Sequence, residues 1–338
     1  MSHINIPIFI PHLGCPNQCI FCNQRFISGT LEFDASSIRK NIDAVLSTKK
    51  EDTECEIAFF GGSFTGIDRD LMIELLDIAE EYVKNKSVLG IRMSTRPDYI
   101  SDEIIKILKN YTITCVELGI QSMSNEVLKY LKRGHTAEHT IQATALLSQN
   151  KIPFVGQMMI GLPCSTKEDE IYCAEKICEL GAVAARIYPT IVFCGTELEV
   201  LNRLGEYTAL SVDEAVERSA SVLRIFNQNK VKCIRIGLSD SENLHSDKTY
   251  VSGPNSPSIG EMVKSRLIFE DLCKEISTKF SNDMSEKIIQ IKCPSALVSQ
   301  VIGHKRKNII ELKKKFGFKD VRVVINPDLD YKSLILEV

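Results

Sequence analysis

The 338-residue sequence has no tryptophan, only six histidines, and no apolar run approaching the ~20 residues needed to span a bilayer. Its opening, MSHINIPIFIPHLG, lacks a basic n-region, so no signal peptide is expected there. These absences argue against a membrane protein and point to the cytoplasm, where thiols stay reduced. Internal repeats and low-complexity tracts are missing too. With 44% hydrophobic and 25% charged residues the chain can bury a sizeable core, which excludes global disorder. At roughly 100–200 residues per domain, its length is enough for two domains.

Against that scarcity stand twelve cysteines. In a reducing compartment they do not form a disulfide framework. They read as small buried hydrophobes unless their spacing indicates a metal or a cluster. The formal charge of −3 hides an asymmetry: residues 286–338 carry 11 Lys+Arg against 6 Asp+Glu, a balance of +5, which leaves −8 for residues 1–285. A basic segment on an acidic body is where a nucleic-acid contact is sought, although a solvated lysine-rich helix face produces the same excess.

Residues 1–240 alternate short apolar runs with helical patterns. Strands are expected at 6–14, 55–62, 88–95, 113–121, 152–161, 184–189 and 231–237, with amphipathic helices such as 70–85 between them. Ser101, Ser124 and Asp213 read as N-caps. This β-then-α repetition predicts an α/β fold whose parallel sheet is closed or partly closed into a TIM-like barrel, with its chemistry at the C-terminal strand ends. Residues 241–285 read as a polar, Gly/Pro-punctuated loop and a connecting helix over 260–280. From residue 286 the pattern restarts as strand KIIQIKC, helix ALVSQVIG, a loop, helix NIIELKKKFG, then strands VRVVIN and SLILEV. Residues 286–338 are therefore expected to form a small α+β domain.

The strongest motif is CPNQCIFC, which sets Cys15, Cys19 and Cys22 directly after the first strand. Three thiolates at CxxxCxxC spacing suit three irons of a 4Fe-4S cube and leave the fourth iron open. Zinc, with His12 as a fourth ligand, is the alternative.

With an aromatic, Phe21, before its last cysteine, this motif resembles the signature of radical S-adenosylmethionine (SAM) enzymes. Further stretches resemble the branch that contains the Elongator catalytic subunit: FFGGSFTG (59–66), STRPDYI (94–100), VELGIQSM (116–123), LKRGHT (131–136), MMIGLPC (158–164), RIYPTIVFCGTELE (186–199), GEYTAL (205–210) and RIGLSDSENL (235–244). They run in family order across most of residues 1–245. The resemblance implies a partial (β/α) radical SAM barrel with a 4Fe-4S cluster and SAM as cofactors. It also implies cleavage of SAM by one electron, from a ferredoxin or flavodoxin, to methionine and a 5′-deoxyadenosyl radical that takes hydrogen from the substrate. By the same resemblance, backbone carbonyls of Gly61, Gly62 and Ser63 contact the methionine amino group. Gln121 and Gln157 lie near the ribose, and Arg133 pairs with the SAM carboxylate. Arg96, at a strand end, has an anion or cofactor role, while Ser94 stands where these relatives commonly have Glu. Satisfied hydrogen bonds at the barrel rim are the plainer explanation of the two glutamines. His135 and Tyr188 are further candidates for lining the substrate space. The other nine cysteines form no second cluster motif, which argues against methylthiotransferase-like chemistry.

The Elongator relatives continue into an acetyltransferase domain, for which the 100 residues after Leu238 are too few. Residues 300–305 echo an acetyl-CoA loop, QxxGxG/A, but Lys305 stands where a small residue is needed. The stretch LVSQVIGHKRKNIIELKKKFG instead resembles a KH core, in which a GxxG loop between two short helices clamps a nucleotide backbone. Gly303 holds the first glycine position and Arg306 replaces the second. His304, Lys305, Arg306 and Lys307 then stand at phosphate height, and Lys313, Lys314 and Lys315 extend the basic surface. A KH-like fold used for packing or dimerisation is the alternative. The combined reading is a radical SAM enzyme that modifies an RNA nucleotide, with tRNA the first candidate. A radical SAM enzyme acting on a small metabolite, tetrapyrrole or peptide is the second reading, and a non-catalytic RNA-binding iron–sulfur sensor the third.

Overall fold

A computed structural model describes residues 2–10, 13–15, 19–23, 33–50, 52–238, 249–280, 286–330 and 334–337. The chain divides into two compact units, Met1–Ser211 with Ile225–Asn255, and Val212–Arg224 with Ser256–Val338.

The first unit is built on strands β1 (Ser2–Phe9), β2 (Thr53–Phe60), β3 (Gly90–Thr95), β4 (Ile113–Gln121), β5 (Phe154–Ile160), β6 (Ala184–Pro189), β7 (Val192–Phe193), β8 (Lys232–Ile236) and β9 (Tyr250–Ser252). Seven of them form one all-parallel sheet in the order β1-β2-β3-β4-β5-β6-β8. The edges β1 and β8 do not pair, so the curled sheet is a half-barrel. Parallel neighbours need long crossovers, and helices supply them. Among these are α1 (Ile38–Thr48), α2 (Arg69–Lys84), α3 (Asp102–Leu108), α4 (Asn125–Tyr130), α5 (Ala137–Gln149), α6 (Lys167–Glu179) and α7 (Glu197–Arg203); α8 (Val212–Gln228), which precedes β8 in the chain, belongs through Arg224 to the second unit. Helix α2 is typical. Asp68 caps it by accepting from the Asp70 and Leu71 amides, and Met72, Leu75, Leu76 and Ala79 recur at three and four to bury one face.

The strands read as apolar runs because both sheet faces are covered; β4, for example, is buried from Cys115 through Gln121. Expected and observed strands differ most at β1, which starts at Ser2 rather than at 6 and ends at Phe9. His3 and Asn5 break the apolar run in the sequence, but His3 finds its partner in Glu56 of the neighbouring strand, at 2.9 Å. The Ser101 hydroxyl caps α3 by accepting from the Ile104 amide. Ser124 occupies a cap position without a side-chain bond, and Asp213 falls in the first turn of α8. Strand β9 pairs antiparallel with β7 inside the stretch expected to be loop, of which 239–248 lie outside the described residues.

In the second unit, β10 (Ile288–Cys293) lies between β11 (Asp320–Ile325), to which it is parallel, and β12 (Ile335–Glu337), to which it is antiparallel. Helices α10 (Val298–Ile302) and α11 (Lys307–Phe316) connect β10 to β11; α9 (Ile259–Lys279) precedes them. Leu272 and Ile276 of α9 pack with Ile289, Ile291, Val301, Leu312 and Leu336, so this helix belongs to the core of the unit and is more than a connector. The turn between α10 and α11 has positive φ at Gly303 (+79°), Lys305 (+51°) and Arg306 (+62°). Buried Asn308 donates to the carbonyls of Gln300, Val301 and Ser265, which satisfies the open C-terminal end of α10. A Cβ at Gly303 would meet the Asn308 side chain at 2.9 Å, so only glycine fits there.

Candidate active site

Residues at alternate positions of the sheet, Asn5 and Pro7, Glu117 and Gly119, Gln157 and Met159, Arg186 and Tyr188, line a cavity of about 870 Å³. Cys15, Cys19 and Cys22 line it as well, together with Gly61, Gly62, Ser63, Arg96, Gln121 and Arg133. Every residue expected from the sequence to hold cluster or cofactor therefore borders one space.

The cysteine loop is held from both sides. Buried Ile20 donates its amide to Leu131 O (3.2 Å), accepts from the Leu198 amide (2.8 Å), and packs among Val127, Leu162 and Val192. The Cys22 amide donates to Cys19 O at 3.0 Å. Gly62 meets the loop on the other side: a Cβ there would strike the carbonyl oxygens of Leu13 and Ile10. The close approach that the glycine permits is thus to the chain leading into Cys15. Cys15 Sγ lies 3.5 Å from Ser63 Oγ. His12, the fourth ligand in the zinc reading, lies outside the described residues. Among the described residues no group of His, Cys, Asp or Glu converges as a single metal ion requires. A 4Fe-4S cube distributes its thiolates over separate irons.

Arg133 donates to Gly119 O (2.9 Å) and lies 3.4 Å from Cys19 Sγ, which brings its charge to the cysteine loop. Buried Arg96 is fixed by two bonds to Asp98 (2.9 and 2.7 Å), with its guanidinium over the Tyr99 ring. Burial alone would lower the Arg96 pKa and raise that of Asp98. The pair more than reverses both shifts, so Arg96 is held above its usual value and Asp98 below the usual carboxylate range. Gln121 ends β4 at φ +64°. Three buried atoms on these residues, Arg96 Nη1, Gln121 Oε1 and Arg133 Nε, have no hydrogen-bond partner. Each such atom costs about 1–3 kcal/mol, a cost that a ligand can remove. Asn5 Oδ1, also on the lining, is a fourth; two donors and two acceptors on one cavity fit a ligand with carboxylate, amino and hydroxyl groups, as SAM has.

Gln157 is placed differently from Gln121, because its amide donates to Glu117 Oε2 at 2.7 Å. His135 is buried away from the cavity lining and bonds Ile120 O through Nε2; burial, and then the neighbouring Arg133 charge, push its pKa down to about 3. Tyr188 does line the cavity.

Sequence reasoning missed a charged belt across the sheet. Glu117, fully buried, accepts from Arg186 Nε and Nη2 (2.8 and 2.9 Å), from Gln157, and pairs with Arg92 (3.2 Å). Arg92 also pairs with Glu56, which meets His3 at 2.9 Å. The signal was available: His3, Glu56, Arg92, Glu117, Gln157, Arg186 and Arg235 interrupt strand after strand in a sheet that should read as nearly pure apolar runs. By contrast, burial pushes up the thiols of Cys55, Cys115 (to about 12), Cys173, Cys178 (to about 11), Cys273 and Cys293, which leaves them protonated packing residues.

In the second unit, His304, Lys305, Arg306 and Lys307 are all exposed. Lys307 shares its charge with Asp213 at 2.7 Å.

The sequence profile of the radical SAM superfamily matches residues 9–177, half of the chain, and that of the radical SAM C-terminal domain matches residues 183–268. A tRNA uridine(34) acetyltransferase of Methanocaldococcus jannaschii is 34% identical over 158 residues, 46% of this chain and 29% of that protein. A putative methylthiotransferase of the same organism is 29% identical over 234 residues, 63% of this chain and 51% of that one. Human Elongator complex protein 3 is 31% identical over 140 residues, 40% of this chain and 26% of the human protein. The chain thus spans about half or less of the length of these curated relatives. The solved archaeal Elp3 of Methanocaldococcus infernus superposes with a TM-score of 0.60 at 22% identity, covering 82% of this chain and 63% of that one, and so shares the fold. Profile, motif and half-barrel agree: the chain belongs to the radical SAM superfamily, enzymes whose cofactors are a 4Fe-4S cluster and S-adenosylmethionine.

Proposed function

We propose that this protein cleaves SAM reductively and uses the resulting radical to modify a nucleotide of RNA, with tRNA the substrate. The observation that carries the first half is the shared cavity, whose lining joins the three cysteines to four residues with unpartnered buried polar atoms. Cys15, Cys19 and Cys22 would hold the cluster; the Gly61–Gly62–Ser63 backbone, Arg96, Gln121 and Arg133 would hold SAM, and Gln157 would act through its bond to Glu117. Bound together, cluster and SAM supply a 5′-deoxyadenosyl radical when a ferredoxin- or flavodoxin-type donor delivers one electron. Arg133 sets a positive charge beside Cys19, and Asp98 keeps Arg96 charged and fixed in orientation.

The RNA half is supported by relatives named as tRNA uridine(34) acetyltransferases and by the second unit. Its strand, two short helices and strand, with a glycine turn between the helices, resemble a KH module, and His304, Lys305 and Arg306 are exposed at that turn. On this reading the first unit, which holds the strands of residues 1–240, is the catalytic barrel, and the second unit, with α9 in its core and residues 286–338 around it, is the RNA-binding part. Reduced thiols throughout suit a cytoplasmic setting. Methylthiotransfer is disfavoured because the remaining cysteines of this chain are scattered. Mass spectrometry of tRNA nucleosides from cells with and without the protein tests the proposal. One nucleoside should disappear without it and return with the wild type but not with Cys19→Ala. An unchanged nucleoside profile would favour a small metabolite, tetrapyrrole or peptide as substrate.

A further inference from the structure

The residues proposed above for cluster and cofactor lie on, or follow, strands β1 to β5. The cavity continues onto β6 and β8, where Arg186, Tyr188 and Arg235 line it and have no role in that scheme. Arg186 and Arg235 are register partners on these neighbouring parallel strands. Arg186 is neutralised by Glu117, and Arg92 by Glu117 and Glu56. Three guanidiniums therefore face two carboxylates in this part of the sheet. Both carboxylates are taken, and Arg235 has no carboxylate partner among the described residues. It is half-buried, so part of its surface is turned from bulk water toward the cavity. Tyr188, whose phenol feels both the Arg186 and Arg235 charges, brings a hydroxyl to the same place. A guanidinium beside a phenol is suited to a planar or tetrahedral oxyanion, which it can grip with two parallel N–H bonds. At about 870 Å³ the cavity lies near the top of the ~300–1,000 Å³ range of small-molecule sites.

We propose that Arg235, flanked by Arg186 and Tyr188, recognises an anion on the molecule that reacts beside the cofactor: a carboxylate or phosphate borne by the substrate or by the donor of the transferred group. This rests on the radical SAM reading of the cavity, and the two can fail separately. The test is isothermal titration of the full-length, anaerobically reconstituted protein, with and without saturating SAM. The probes are malonate for a carboxylate, uridine 5′-monophosphate for a phosphate, and uridine as the neutral control. One anionic probe should bind. Arg235→Gln should weaken it about tenfold or more, Arg235→Lys should restore part of the loss, and SAM affinity should stay the same in both variants. Which probe binds distinguishes the carboxylate source from the phosphate source. The proposal is overturned if neither probe binds, if Arg235→Gln binds as well as wild type, or if Arg235→Gln loses SAM, which would give the arginine to the cofactor. Failure of the wild type to bind SAM would defeat the cofactor reading instead, while the SAM-free titration still decides on the anion site.

Discussion

Gly62 and His135 illustrate how single residues serve this site without touching a reacting atom. At Gly62 the missing Cβ makes room for the Ile10 and Leu13 carbonyls, and so for the chain that delivers Cys15. Gly62→Ala should therefore lose most of the reconstituted iron and sulfide while the thermal melt of the barrel persists; iron and sulfide analysis checks this, and full cluster content would refute it. His135 acts on stability. Its pKa is about 3 in the folded state against roughly 6.5 unfolded, so below pH 6.5 the unfolded chain takes up a proton that the folded chain refuses. The stability it contributes is complete above pH 6.5 and falls by about 1.4 kcal/mol per pH unit between 6.5 and 3. His135→Gln, which keeps a donor for Ile120 O, should flatten the pH dependence of the urea midpoint between 6.5 and 5. An unchanged slope would rule out the buried neutral histidine as its source. Of these two residues, the sequence marked Gly62 by motif but for another purpose. The burial of His135 depends on packing that no local pattern records.

At the scale of elements, the parallel strands were legible because burial on both faces leaves apolar runs, and six of the seven were expected within a few residues of where they lie. Strand β1 was misjudged because polar residues break its apolar run, and the partner of His3, Glu56, lies across the sheet on β2. Strand β9 was missed because three residues paired with distant β7 carry too little pattern. The Glu117 belt joins six strands, β1 to β6, and its logic appears only when they are side by side. The α10–α11 turn makes its own prediction. Arg306 sits at φ +62°, a left-handed conformation that costs a non-glycine residue roughly 1–2 kcal/mol. Arg306→Gly should therefore raise the unfolding free energy of the protein by about 1 kcal/mol while weakening tRNA binding through the lost cation. Denaturant titration and filter binding at two salt concentrations measure both effects. Lower stability, or unchanged tRNA affinity, would count against the KH-like reading of this loop.

For the molecule as a whole, the small net charge conceals an acidic N-terminal part that carries the cavity and a basic C-terminal part that carries the exposed turn. Under the proposed function, that division would suit a catalyst that excludes water around a radical and a binding element that attracts phosphate. Nine of the twelve cysteines divide by role: three border the cavity in one loop, and six others are held protonated by burial. Cysteine spacing revealed the first group, whereas only the fold reveals the second. The radical chemistry itself is tested most directly by incubating the anaerobically reconstituted protein with SAM and dithionite and quantifying 5′-deoxyadenosine. Wild type should release it together with methionine, and Cys19→Ala should release none. SAM bound at an intact cluster with no 5′-deoxyadenosine formed would contradict the enzyme reading and leave an RNA-binding iron–sulfur sensor in its place.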